Sequence, residues 1–201
     1  IASHVIEHIP DPIRFFHSLK TLLGENGLVS LAIPDKRFIF DFFRPLTTTG
    51  EWLDAFDKKR TRHTKGILFD AAAHNVTING RIAWDASNIG EIAPCAPGFA
   101  GAKPTFDSVS EDPNDPYVDT HAWRFTPASF ALLLADLQYV DLLPFAVETS
   151  HQTVGCEFFV TLRRSDRPAP KPENIDAVRL SLMRQAMLEI GEQVSLLKKM
   201  P

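Results

Sequence analysis

Cysteine is scarce. The 201 residues hold two, Cys95 and Cys156, far apart and each without a second cysteine nearby. That excludes a zinc site of the CxxC kind and a disulfide framework of the sort that staples small secreted domains. Two reduced thiols in a cytoplasmic protein are the expectation. Long apolar runs are lacking as well: none approaches the ~18 residues of a membrane span, and no basic-then-apolar leader opens the chain. A membrane partner is therefore not expected. Excess positive charge is also missing, with 21 Lys and Arg against 25 Asp and Glu and a net charge of −4. The field that a phosphate backbone requires is absent, so nucleic acid is not an expected partner. An initiating methionine is lacking too: Ile1-Ala2-Ser3 reads as the tail of a strand, so the chain is expected to begin inside a domain.

What is present is an ordinary globular composition, 44% hydrophobic and 23% charged. Asp11-Pro12 is a favoured N-cap followed by proline, and Ile13, Phe16, Leu19, Leu22 and Leu23 recur at helical spacing. Gly24 stops that helix, and Glu25-Asn26-Gly27 forms a turn. Leu28 to Ile33 is a short apolar run ended by Pro34, which suits a strand buried on both faces of a parallel sheet. With Ile1-Ala2-Ser3 as the preceding strand, a βαβ unit is complete.

A helix is expected from Glu51 to about Arg62, and Ile67 to Asp85 reads as mixed. Residues 86 to 120 carry five prolines and three glycines, which predicts a long loop or an insertion. Thr126-Pro127 opens another helix with Phe130, Leu133, Leu134 and Leu137 on one stripe. Two strand-like runs follow, Leu142 to Thr149 and Cys156 to Arg163, joined as a hairpin through Ser150 to Gly155. Residues 166 to 172 are a stiff Pro-rich linker. Beyond it Glu173 to Lys199 is helical, with Ile175, Val178, Leu182, Met183, Ala186, Ile190, Val194 and Leu197 as its stripe. Such a helix must pack on its own domain or on a second copy.

This order of elements is similar to the second half of a class I S-adenosylmethionine-dependent methyltransferase, and residues 1 to 40 resemble the type 11 family. Ser3-His4-Val5-Ile6-Glu7-His8 stands where that family often has Ser-His-Val-x-Glu-His at the end of its fourth strand. Pro10-Asp11-Pro12 opens the next helix, Gly27 to Pro34 looks like the fifth strand, and His121 to Pro127 resembles the lead-in to the last helix. The likeness covers about residues 1 to 45 and 121 to 163. It implies an α/β fold made of the end of strand 4, strand 5, an antiparallel pair of strands 6 and 7 and flanking helices, over residues 1 to 165, followed by a C-terminal amphipathic helix at 173 to 201. It also implies S-adenosyl-L-methionine as cofactor, with Ser3, His4, Val5 and Glu7 as a partial wall at its methionyl end. The glycine-rich loop that holds the cofactor in that family has no counterpart, since the first glycine is Gly24 and no GxGxG follows a strand. The chain is expected to be a methyltransferase fragment, inactive without a further half.

Methyl transfer needs an aligned acceptor and, where the acceptor is protonated, a base. Asp35, just past the fifth strand, and His121 are the candidates, with turn-capping the bland role for Asp35. Arg37 and Arg44 can hold an anionic small-molecule or glycan-related acceptor, or act as surface ion-pair members. Trp123 can wall the acceptor or simply fill the core. Glu7 and His8 can equally cap local backbone. Two rival readings remain. His4-Val5-Ile6-Glu7-His8 spells HxxEH, a zinc-hydrolase motif that needs a helix with turns to spare on both sides; Pro10 and Pro12 argue against one, Glu189 is the remaining candidate third ligand, and no metal is expected. A non-catalytic module is the other, dimerising through the terminal helix or an open sheet edge.

Overall fold

The computed structural model describes residues 1–167 and 170–201; Pro168 and Ala169, inside the expected linker, lie outside the described residues. Four strands form the main sheet in the order β1 (Ala2–Ser3), β2 (Leu28–Pro34), β6 (Glu157–Arg164), β5 (Phe145–Val154). β1 runs parallel to β2, with Ala2 opposite Leu31. β6 is antiparallel to both of its neighbours. The result is a mixed α/β sheet with helices packed against it.

The caps that the sequence announces are made. Asp11 accepts from the Arg14 amide at 2.9 Å and starts α1 (Pro12–Leu22), with Ile13 and Phe16 buried and Leu22 turned out to solvent. Thr48 and Glu51 form a reciprocal capping box at the head of α2 (Thr49–Asp57), which stops short of the charged run to Arg62. Thr126 and Pro127 open α5 (Pro127–Tyr139), with the Thr126 amide donating to Ser129 Oγ at 2.8 Å. These helices and the sheet enclose one core, dominated by Phe16, Trp52, Phe125, Phe130, Phe145 and Phe158. A smaller cluster of Phe42, Val76, Ile78 and Trp84 sits beside it.

Several expectations are corrected. β2 buries Val29, Leu31 and Ile33 on one face only, while Ser30 and Ala32 opposite are half-buried. Ile67 to Asp85 resolves into α3 (Lys65–His74), capped by Thr64, and β3 (Val76–Ile78). Residues 86 to 120 are not a bare loop: β4 (Ile92–Pro94) pairs with β3, and α4 (Gly98–Ser108) packs on α3. Pro104 inside α4 costs a backbone hydrogen bond. The helix persists because Ala102 is buried and Phe69 meets Phe99 and Phe106 edge-on. The hairpin turns at Gly155-Cys156, since Val154 already pairs with Glu157.

The terminal helix α6 (Ile175–Leu197) packs on α5 of its own domain, with its contact face rotated from the expected stripe. Ala186, Glu189 and Gln193 are buried, whereas Val178, Met183, Val194 and Leu197 are each more than a third exposed. Glu189 turns inward because its carboxylate accepts the Ala128 amide at the head of α5 (3.1 Å), where an anion offsets the free N–H groups. Among the described residues no helix is long and apolar enough to cross a membrane.

Candidate functional site

The parallel pairing of β1 and β2 brings their carboxyl ends side by side, the edge at which open α/β sheets bind ligands. His4 ends β1 in the left-handed region at φ 52°, uncommon for a residue with a side chain, while its amide still bonds Ala32 O at 3.0 Å. The chain then turns tightly through Ile6–His8 in a single 3₁₀ turn. The run from His121 to Phe125 is laid across that turn: the amides of Ala122 and Trp123 both donate to Glu7 O, at 2.8 and 3.2 Å. The Trp123 indole N–H donates to Ile9 O at 2.6 Å.

This threading gathers a compact polar cluster. Glu7, His8 and His121 bring one oxygen and two ring nitrogens within 4.8 Å of one another. Glu7 Oε1 lies 3.8 Å from His8 Nε2 and 3.9 Å from His121 Nε2. The two imidazoles meet edge to face at 4.6 Å. Each ring is held from behind by a carboxylate: His121 Nδ1 lies 2.5 Å from Asp41 Oδ2, and His8 Nδ1 lies 3.0 Å from Asp119. A proton on each Nδ1 satisfies those contacts and leaves each Nε2 lone pair aimed at Glu7. Asp41 is itself clamped by Arg44, whose guanidinium also donates to His121 O at 2.8 Å.

Glu7 is the anomaly of the group. It is fully buried, and neither carboxylate oxygen has a hydrogen-bond partner. Burial pushes its carboxyl upward; the residue's own amide, close by without satisfying either oxygen, pulls down, as do His121, His8 and His4. Burial alone would raise Asp41 as well, but the His121 hydrogen bond and charge together with Arg44 hold it below the usual carboxylate range.

The predicted residues divide into two sets. Glu7 and His121 meet in the cluster, with Arg44 and Trp123 supporting it from behind. Both supports are 2% exposed, which leaves neither surface for an acceptor. Ser3 and His4 are exposed beside the cluster and Val5 is half-buried, with His4 Nε2 on Glu157 at 2.8 Å. Asp35 and Arg37 form a separate, sealed unit. Asp35 accepts from the Arg37 amide and guanidinium and from Thr153 Oγ1 at 2.6 Å, and Arg37 reaches on to Glu192.

The alternative role of capping local backbone is not made by hydrogen bonds: neither Glu7 carboxylate oxygen has a partner, and His8 Nδ1 turns to Asp119. Nor does the HxxEH segment form the helix its zinc-hydrolase reading requires, and Glu189 is committed to Ala128. Sequence reasoning left out Asp41, Asp119, His63 and Tyr117. Tyr117 donates toward His8 O at 3.3 Å and pairs with His63 Nε2 at 2.8 Å.

His63 gives the cluster a measurable pH signature. Burial pushes its imidazole down to about 4, with Asp119 pulling the other way and His8 and Arg44 reinforcing the drop. The unfolded chain binds the extra proton first, so stability falls as pH drops from the ordinary histidine value through about 4. Replacing His63 by glutamine is expected to flatten that slope by roughly 3 kcal/mol or less across the window. Urea midpoints of both proteins at several pH values measure the difference, and parallel curves would contradict it.

Comparison with protein-family models, with curated proteins and with solved structures gives no match to this chain.

Proposed function

We infer that this chain is part of a class I S-adenosyl-L-methionine-dependent methyltransferase acting on a small-molecule or glycan-related acceptor in a cytoplasmic setting. The observation that carries the reading is the sheet. A parallel pair followed by an antiparallel hairpin is the arrangement expected for the end of strand 4, strand 5 and strands 6 and 7. Polar groups collect at the carboxyl ends of the parallel pair, where this class of sheet binds ligands. Two free cysteines are consistent with a reducing compartment.

The residues fit one side of the cofactor. Ser3 and His4 are exposed where the methionyl wall is expected, and a glycine-rich loop after a strand has no counterpart in the sequence. When bound, the cofactor supplies an electrophilic methyl group. The backbone from Ser3 to Val5 lines its methionyl end. His121, held by Asp41, keeps Nε2 free to take a proton from an acceptor hydroxyl. Asp35 and Arg37 have no free polar group to offer and serve as architecture. Arg44 is a positioning residue, and Trp123 fixes the turn through Ile9.

A second reading, an interaction module that pairs with another copy, is favoured by the outer face of α6, where Leu180, Met187 and Leu188 are exposed. The two readings separate on titration with S-adenosylhomocysteine. The first predicts a response confined to the Ser3–Glu7 backbone and the His4 ring; the second predicts none.

A further inference from the structure

We propose that Glu7, His8 and His121 form a binding site for one divalent transition-series cation of the Zn²⁺, Mn²⁺ or Fe²⁺ class, with coordination positions left open for a ligand oxygen. The inference goes beyond methyl transfer and does not depend on it; with an ion bound, His121 Nε2 would be a ligand, and the metal-bound oxygen rather than the imidazole would be the group that gives up a proton.

Three independent features point to a cation. The first is the orphaned carboxylate. A buried carboxyl group without hydrogen bonds is costly in either protonation state, and native proteins rarely leave one unless it is paired or coordinates a metal. Glu7 has both oxygens unpartnered at 0% exposure. The second is the convergence of donors: Glu7 Oε1 stands 3.8 Å from His8 Nε2 and 3.9 Å from His121 Nε2, and the three residues offer ligand atoms within 4.8 Å of one another. Bonds of about 2.0–2.2 Å to one ion would draw tetrahedral ligands to roughly 3.4 Å, a contraction of a few tenths of an ångström for each Glu7–imidazole pair. The third is the layer behind the ligands. Metal-bound histidines nearly always donate their other N–H to a carboxylate or carbonyl, and here Asp41 and Asp119 do this for the two rings. Arg44 then fixes Asp41, so His121 is held at its ring by Asp41 and at its carbonyl by Arg44.

The donor set selects the ion. Two imidazoles and one carboxylate are borderline ligands that suit zinc, iron, manganese or cobalt, whereas calcium and magnesium favour all-oxygen shells. Three protein ligands leave at least one position open, as in catalytic rather than structural sites. A cation there would bind an oxygen of water or of a hydroxylated ligand and lower its pKa. The site differs from a helical HxxEH motif: Glu7 and His8 are adjacent in a 3₁₀ turn, and His121 comes from the run before α5.

The test is metal titration of the chelator-treated chain, with Co²⁺ absorption read alongside ¹⁵N side-chain resonances of the histidines under Zn²⁺. The expected result is one equivalent bound at micromolar concentration or tighter, with the Nε2 resonances of His8 and His121 shifted. His17, His74 and His151 stay in place. Glu7→Gln, a near-isosteric change, should weaken binding at least 100-fold, and His151→Ala should not alter it. Because the resonance shifts are read on the unmodified chain, a folding defect in either variant cannot decide the outcome. Absence of one-to-one binding at submillimolar metal, shifts centred on other histidines, or unchanged affinity in Glu7→Gln would each overturn the proposal. None of these readouts requires S-adenosylhomocysteine, so failure here and failure of the methyltransferase reading are separately visible.

Discussion

Replacing Trp52 by alanine is expected to cost about 3–5 kcal/mol, enough to leave much of the chain unfolded at ambient temperature. Trp52 is fully buried, and its ring packs against Phe16, Trp123, Phe125 and Phe130. It therefore joins α1, α2, the site-bearing run before α5, and α5 itself. Truncation would open a cavity among four aromatic rings held by separate elements, which cannot all collapse into it. Trp52→Phe should be much milder. It keeps most of the apolar contact and removes an indole N–H that is buried without a partner. A loss below about 1.5 kcal/mol is expected for that change. Urea denaturation of both variants checks the pair; equal losses would mean that the N–H, not the ring, dominates.

The second large effect belongs to Asp35. Its side chain is fully buried, and that of Arg37 is 5% exposed. Burial works against the Arg37 charge, but the Asp35 hydrogen bond and charge more than offset it, and the guanidinium is held above its ordinary value. Removing one partner of a buried ion pair leaves the other uncompensated, at a cost of about 3–5 kcal/mol. Asp35→Ala should show that loss, while the double change Asp35→Ala with Arg37→Met should recover a large part of it. Glu192, itself mostly exposed, is a poor substitute partner. A single variant with unchanged stability would contradict the sealed-pair description and return Asp35 to the list of candidate bases. Additive losses in the double variant would show that the two residues are not coupled.

The parts of the fold that were legible in the sequence are those fixed by local chemistry. Asp11-Pro12 and Thr126-Pro127 announce their helices because cap and proline act within one turn. β2 is legible as a short apolar run, although only one of its faces is buried. β5 runs further than its expected end at Thr149 because it is an edge strand whose residues from Glu148 to Gln152 all face solvent, so its polar composition reads as loop. α4 was hidden by Pro104 and its glycines, whose cost is met by tertiary contact with α3. The contact face of α6 was misplaced because Glu189 and Gln193 are buried by specific partners, the Ala128 amide and the Lys36 ammonium. No apolar periodicity encodes such positions.

The site follows the same division. Glu7 is expected at the end of the first strand as part of a cofactor wall and His121 in the lead-in to α5 as a candidate base, but nothing in the sequence brings the two together. Asp41 and Asp119, which orient the imidazoles, lie in connecting segments whose proximity to His8 and His121 exists only after folding. No spacing rule in the sequence links them.

The central claim, that the carboxyl ends of β1 and β2 are one wall of an S-adenosylmethionine site, is tested most directly by titrating S-adenosylhomocysteine into the ¹⁵N-labelled chain. The account predicts weak, saturable binding with a Kd on the order of 1 mM, as a partial site should give. It also predicts amide shifts confined to Ser3–Glu7, with movement of the His4 ring. An unmoved Ser3–Glu7 segment at saturating nucleoside, or shifts centred on α6, would contradict it.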